Sequence, residues 1–181
     1  HRARTVKHMS IKRPLDGSHI TDPDLIGAGL VGGIFGVNDQ SVYLSPAPLY
    51  HSAPLGFTTG TQSLGGTVVV LEKFDPLEAL QAIESYGVTH SQWVPTMFTR
   101  MLKLAEEDRN KWDLSTHKVA IHAAAPCPVE VKKQMLEWWG PILHEYYAGT
   151  ELNGFCYVGP EDWISHPGTC LLYTSPSPRD A

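Results

Sequence analysis

The richest chemistry in this chain follows a short apolar run at residues 141–143, which has the composition of a buried strand. Residues 144–151 then have the sequence His-Glu-Tyr-Tyr-Ala-Gly-Thr-Glu. The small pair at 148–149 allows a tight turn close to a ligand, and Thr150 and Glu151 add a hydroxyl and a carboxylate. Together these groups suit a nucleotide, through ring stacking, phosphate hydrogen bonding and magnesium ligation. Taken alone, the stretch also fits an ordinary strand end followed by a polar loop.

Composition narrows the class of protein. A chain of 181 residues can bury one sizeable core, and its net charge of −5 gives no support to nucleic-acid binding. The three cysteines lack paired spacing, so neither a disulfide framework nor a zinc site is predicted, and a cytoplasmic setting is expected. No apolar run approaches the roughly 20 residues of a membrane span, although peripheral membrane contact stays open.

The elements that must position these groups alternate along the chain. Apolar runs predict strands, and 3.6-residue periodicity after capping residues and prolines predicts helices. The predicted strands are 41–44, 67–71, 88–94, 118–121 and 142–147, with predicted helices at 25–34 and 52–64 and others starting near 76, 95 and 128. The strand at 67–71 is β-branched and therefore expected to be buried, and 142–147 is expected to be the last strand. This alternation predicts an α/β fold with a mostly parallel sheet and helices on both faces.

Three stretches each lie at the end of a predicted strand: 48–54, 122–126 and 146–154. In order and spacing they resemble the adenylate-forming enzymes, in particular the AMP-forming acyl-CoA synthetases (fatty-acid–CoA ligases). The resemblance covers residues 11–169 and includes the Gln-Trp-Val-Pro-Thr-Met segment at 92–97. It implies that the sheet is part of the large domain of such an enzyme.

The resemblance implies a role for each residue of the last stretch. Residues 147–151 match the family's Tyr-Gly-x-Thr-Glu signature, with Ala148 where glycine is usual. By this match Tyr147 stacks on adenine, Thr150 meets the α-phosphate and Glu151 ligates Mg²⁺. Ala148 is tolerable only if its φ angle stays negative. The neighbouring Tyr146 and Gly149 complete the implied nucleotide-binding stretch.

The other two stretches have implied roles as well. The small-residue turn of Ala124, Ala125 and Pro126 matches the backbone segment that lies along adenine, although alone it fits a plain strand-to-helix turn. His51 matches a histidine near the reacting carboxylate, where an imidazole can orient the acid or stabilise charge. A lone histidine in a turn is more often structural.

The resemblance also places an acyl pocket. Trp93, Val94 and Met97 would line it, although such residues near a helix start are more often core. Five other histidines lack metal-ligand spacing and receive no role: His90, His117, His122, His144 and His166.

The activity implied is the ATP-dependent conversion of a carboxylic acid, expected to be fatty, to an acyl-adenylate and then an acyl-CoA thioester. ATP, Mg²⁺ and coenzyme A are the implied cofactors and co-substrates. A peptide-synthetase adenylation domain or a luciferase-like enzyme remains an alternative within the superfamily. A non-catalytic nucleotide-binding module is the alternative from another class.

The two ends of the chain depart from the family pattern. Residues 1–10 are basic and unpatterned and stand where a glycine-rich phosphate loop is expected, so an aberrant or frayed end is predicted. Residues 11–169 are predicted to be a partial AMP-binding domain. Residues 170–181 resemble a translated sequencing adapter and are interpreted as an artefact, with a disordered natural tail as the alternative. The chain is therefore expected to be a catalytically inactive fragment by itself.

Overall fold

The computed structural model describes residues 27–149 and 154–169. Predictions for residues 1–26, Thr150, Glu151 and residues 170–181 lie outside this part of the chain. The chain divides into two compact units. Of the described residues, one unit contains 27–92 together with Trp112–Lys118, and the other contains Trp93–Lys111, 119–149 and 154–169.

The first unit alternates helices and strands. Its elements are α1 (Gly27–Phe35), β1 (Val42–Ser45), α2 (Ser52–Ser63), β2 (Thr67–Val70), α3 (Pro76–Tyr86) and β3 (His90–Trp93), with Trp93 at the unit boundary. Both β2 and β3 pair with β1 in parallel, which places β1 in the middle. Consistent with this, Tyr43 and Leu44 of β1 are completely buried.

Helix α3 shows why these boundaries could be predicted. The Asp75 carboxylate accepts hydrogen bonds from the backbone N–H groups of Leu77 at 2.9 Å and Glu78 at 3.1 Å. Pro76 occupies the first turn, and Gly87 ends the helix with φ +59°. A capping carboxylate, an N-terminal proline and a left-handed glycine are strong local signals for the two ends of a helix.

The prediction that residues 67–71 form a buried strand was half right. β2 is parallel to β1, as predicted, but its residues are exposed or half-buried, and Val70 is 48% exposed. The reason is its position, because β2 lies at the edge of the sheet. A β-branched run indicates a strand but does not specify whether neighbours cover it.

The second unit contains the candidate site. Its elements are α4 (Pro95–Leu102), α5 (Glu106–Asn110), β4 (Val119–His122), α6 (Val129–Trp139), β5 (Leu143–Ala148), β6 (Phe155–Val158) and α7 (Pro160–Ser165). β4 and β5 are parallel, whereas β6 is antiparallel to β5. The strand pairings of the two units confirm the α/β class and the mostly parallel sheet.

The prediction that β5 is the last strand was wrong. Phe155–Val158 forms β6 and pairs with β5 from Glu145↔Val158 to Ala148↔Phe155. Its four residues are apolar throughout and show no two-residue alternation, so pairing with β5 rather than local pattern defines the strand. None of the described helices has the length and apolar character needed to cross a bilayer.

Candidate nucleotide site

The second unit brings two of the predicted adenine-contacting segments to one edge of its sheet. In the parallel β4–β5 pair, His122 lies opposite Glu145. The turn at 124–126 follows His122 directly, and Tyr147 lies two residues beyond Glu145. Both segments therefore emerge at the carboxyl ends of neighbouring parallel strands, where α/β sheets bind ligands.

The turn at 124–126 has an accessible and unusual backbone. Ala124, Ala125 and Pro126 are all exposed, and Ala124 has a φ angle of +76°. Among the described residues, Ala124 is the only non-glycine residue with positive φ. An alanine in this region costs on the order of 1–2 kcal/mol relative to ordinary backbone. Such a cost is commonly tolerated where a turn must present its backbone to a ligand.

The two adjacent tyrosines of β5 have opposite environments. Tyr146 is 7% exposed and stacks on Phe155 with ring centroids 5.5 Å apart and an interplanar angle of 18°. Tyr147 is 62% exposed, so its ring is accessible to a planar base. Successive strand residues point to opposite faces, which explains why one tyrosine packs and the other does not. The resemblance assigned adenine stacking to Tyr147, and the exposed ring fits that role.

The residues that follow Tyr147 complete only part of the predicted signature. Ala148 belongs to β5 and has no positive φ, so the condition for replacing the usual glycine is met. Gly149 is half-buried. Thr150 and Glu151, the predicted phosphate and Mg²⁺ contacts, lie outside the described residues. Within 27–149 and 154–169, no cluster of three or more His, Cys, Asp or Glu residues could hold a metal ion.

His51 belongs to the first unit. It occupies the N-cap position of α2, and its side chain makes no capping hydrogen bond. The residue is exposed, and its ring centroid lies 4.5 Å from that of Tyr50. Its backbone N–H donates to the carbonyl of Pro48 at 3.2 Å, which closes the proline-containing turn before the helix. The imidazole is thus accessible for a ligand contact.

The predicted acyl-pocket residues are mostly buried. Trp93 is 1% exposed, and its ring lies 5.4 Å edge-on to Trp139 and 6.2 Å from Phe98. Met97 is 8% exposed, and Val94, half-buried, caps α4. These contacts make Trp93 part of an aromatic core, and the pocket role of the three residues stays a prediction.

Comparison with known proteins identifies the family. Residues 25–175 match the model of the AMP-binding enzyme family. This chain belongs to the AMP-binding enzymes.

The AMP-binding chain is similar to named ligases over part of their length. It is 32% identical over 117 residues to 4-coumarate–CoA ligase-like 8 of Arabidopsis thaliana, covering 64% of this chain and 21% of that protein. It is 33% identical over 109 residues to the medium/long-chain-fatty-acid–CoA ligase FadD8 of Mycobacterium tuberculosis, covering 60% of this chain and 19% of that protein. The chain therefore spans about a fifth of the length of these curated relatives.

Solved structures agree with the fold of this AMP-binding chain. The amide bond synthetase McbA of Marinactinospora thermotolerans superimposes with a TM-score of 0.68 at 25% identity, covering 76% of this chain and 27% of McbA. The o-succinylbenzoate CoA synthetase of Bacillus subtilis in complex with AMP gives a TM-score of 0.68 at 22% identity, covering 81% of this chain and 30% of that one. The latter similarity shows the fold alone.

Sequence reasoning missed a buried polar cluster behind the predicted adenine-contacting edge of this AMP-binding chain. Lys132 Nζ lies 2.6 Å from Glu145 Oε2, and both residues are at most 3% exposed. His122 Nε2 lies 3.5 Å from the same carboxylate oxygen, and the imidazole is completely buried. Burial lowers the pKa of His122 well below its ordinary value, and the charges of Lys132 and His144 lower it further.

The spacing of Glu145 and Lys132 from apolar residues in the sequence indicates that both lie on buried faces. Leu143 is completely buried, and Glu145 follows it by two residues, so strand alternation places the carboxylate on the same face. Similarly, Lys132 precedes the buried Met135 by three residues on α6. Each charged residue is unexpected on an apolar face when it is considered alone. Only the fold shows that the two opposite charges pair with each other.

Proposed function

We propose that the protein containing this chain joins a carboxylic acid to coenzyme A in two steps driven by ATP. One oxygen of the carboxylate attacks the α-phosphorus, and pyrophosphate leaves, which forms the acyl-adenylate. The sulfur of coenzyme A then attacks the acyl carbon, AMP leaves with the carboxylate oxygen it received, and the thiol proton passes to solvent. The observation that supports the nucleotide step best is the exposed Tyr147 ring beside the open Ala124 turn at one sheet edge.

Each proposed role follows from the chemistry of a side chain. The Tyr147 ring offers a π-face to adenine, and the backbone at 124–126 lies along the base. The Thr150 hydroxyl contacts the α-phosphate, and the Glu151 carboxylate holds Mg²⁺, a hard cation that neutralises charge on the phosphates. The imidazole of His51 orients the attacking carboxylate.

The proposed substrate is an apolar acid, with a fatty acid preferred. The apolar side chains of Trp93, Val94 and Met97 support this choice, as does the name of the mycobacterial relative, a medium/long-chain-fatty-acid–CoA ligase. The Arabidopsis relative is named for 4-coumarate, an aromatic acid, which is the competing substrate class. The proposed location is the cytoplasm, because the unpaired cysteine spacing suits a reducing compartment.

A second candidate shares the first step and differs in the acceptor. McbA, at 25% identity, is named an amide bond synthetase, so an amine in place of the thiol is the specific alternative. A peptide-synthetase or luciferase-like fate of the adenylate belongs to the same group of alternatives. A non-catalytic nucleotide-binding module would bind ATP without forming an adenylate.

The first test is nucleotide binding by the 181-residue chain, measured as thermal stabilisation. AMP at one hundred times its dissociation constant is expected to add about 2.7 kcal/mol to the free energy of unfolding.

The second test is acid-dependent ATP–pyrophosphate exchange by the full-length protein, with decanoate and 4-coumarate compared. Acyl-CoA formation with coenzyme A, but no amide with an added amine, is the expected outcome. Absence of both stabilisation and exchange would overturn the proposal.

A further inference from the structure

The ammonium group of Lys132 is completely buried, which is rare for a lysine. Lys132 lies near the start of α6 and is completely buried, with its Nζ 2.6 Å from Glu145 Oε2. The same Nζ lies 4.7 Å from the centroid of the Trp163 ring on α7. Removing two charges from water is costly, and a well-packed apolar pair is often at least as stabilising. The contribution of this ion pair is therefore better sought in the arrangement that it specifies.

The Glu145 carboxylate connects the two flanks of the adenine-facing turn. His122, the last residue of β4, approaches Oε2 to 3.5 Å from before the turn. Lys132, on the helix that follows, reaches the same oxygen from after the turn. One carboxylate thus contacts both segments that the turn joins.

Glu145 also belongs to the strand that presents Tyr147. The two residues are separated by one position on β5, so their side chains point to the same face. The position of the Tyr147 ring along this face is therefore set by the same strand that Lys132 holds. Trp163 extends the contact to α7, which follows β6, so Lys132 on the helix before β5 also contacts the helix after β6.

Cys127 is half-buried directly after the turn. Burial raises the pKa of its thiol to about 11, while Lys132 lowers it and Glu145 raises it. The residue follows Pro126 directly, so the charges of the ion pair act at the turn itself.

We propose that Lys132 and Glu145 are positioning residues for adenine: their buried ion pair sets the placement of the Ala124–Pro126 turn relative to the Tyr147 ring. The two residues act through the backbone segments they hold and do not contact the base. This inference rests on the proposed nucleotide binding at that edge.

The test replaces the pair without leaving an uncompensated charge. The double variant K132M/E145M removes both charges, and the matched control E130Q/K133M removes an exposed pair on the same helix, whose Nζ and Oε1 lie 3.4 Å apart. In the 181-residue chain without nucleotide, residual dipolar couplings of the Ala124, Ala125 and Tyr147 amides report the relative orientation of the two segments. They are expected to change in K132M/E145M and to stay constant in the control. Unchanged couplings in both variants would overturn the proposal.

The second readout is the dissociation constant of AMP, measured by calorimetry. K132M/E145M is expected to weaken AMP binding at least tenfold, and E130Q/K133M to leave it within twofold. Wild-type affinity in K132M/E145M would overturn the proposal. If that variant does not fold, K132Q/E145Q replaces it with the same expected and contradicting outcomes, because it also removes both charges while the two amides can still hydrogen-bond to each other.

The two proposals fail in different ways. Absence of AMP binding by the wild-type chain, together with absence of ATP–pyrophosphate exchange by the full-length protein, would overturn the proposed nucleotide binding. The dipolar couplings would then decide by themselves whether the ion pair positions the two segments.

Discussion

Glu145 and Tyr147 point to the same face of β5, yet Glu145 is 3% exposed and Tyr147 is 62% exposed. Helix α6 accounts for the first value, because its Lys132 covers the Glu145 carboxylate at 2.6 Å. Two residues further along the strand, the Tyr147 ring is accessible. Within two residues the strand passes from a buried polar anchor to an open aromatic surface, which is the arrangement that a stacking site needs.

Replacing Tyr147 with alanine tests that surface. Stacking of a base on an aromatic side chain contributes about 1–3 kcal/mol, so Y147A is expected to weaken AMP binding roughly 5- to 150-fold. The measurement is a calorimetric titration with AMP. Y86A is the matched control, because Tyr86 is 61% exposed on α3 in the other unit. Equal affinities of the two variants would contradict the stacking role.

Replacing Ala124 with glycine tests the unusual backbone of the turn. Glycine adopts a φ of +76° without the steric cost paid by alanine, although it loses more entropy on folding. The net expectation is that A124G raises the free energy of unfolding by about 0.5–1 kcal/mol. Denaturant unfolding measures the change.

The neighbouring Ala125 provides the matched control for that substitution. Ala125 is also exposed but has no positive φ, so A125G is expected to lower the free energy of unfolding by about 0.5–1 kcal/mol. Changes of the same sign in both variants would show that the φ angle of Ala124 is not the source of strain.

Acid should destabilise the chain partly through His122. Burial, Lys132 and His144 hold its pKa below the ordinary value, while the Glu145 carboxylate and the Phe98 ring also face it. Below about pH 6.5 the unfolded chain binds a proton at this position that the native chain does not. The free energy of unfolding therefore decreases by at most about 1.4 kcal/mol for each unit that the pH is lowered. Above about pH 6.5 the stabilising contribution of the neutral His122 is fully present.

The measurement is the free energy of unfolding from pH 7.5 to 5. The H122Q variant should have a shallower slope than the wild type over this range. The slope should not vanish, because burial also lowers the pKa of His90. An identical slope in wild type and H122Q would exclude His122 as the source.

Replacing Asp75 tests the local encoding of α3. D75A removes the acceptor for the Leu77 and Glu78 N–H groups and is expected to cost about 1 kcal/mol of stability. D75N keeps a side-chain oxygen at the cap and should recover most of that loss. Thermal unfolding of the three proteins compares them. Equal losses in D75A and D75N would argue against the cap and for an effect of the charge.

Local chemistry was sufficient to predict much of the fold. The ends of α3 follow from Asp75, Pro76 and Gly87, because each acts on backbone groups within four residues. The three stretches that carry the family resemblance were recognised from residue types in order, and their nucleotide contacts stay a prediction. The match over residues 25–175 confirms the family, so the order of these stretches along the chain was informative about family membership.

Tertiary structure decided what local chemistry cannot specify. The exposure of Val70 depends on whether another strand lies beside β2, and the strand identity of β6 depends on its pairing with β5. Sequence periodicity indicates that Lys132 and Glu145 are each buried but not that they pair, since the two residues stand 13 positions apart on different elements. Side-chain types and spacing determined which groups are predicted to contact adenine. Long-range packing decided which of those groups are buried, because burial depends on the neighbours that folding brings together.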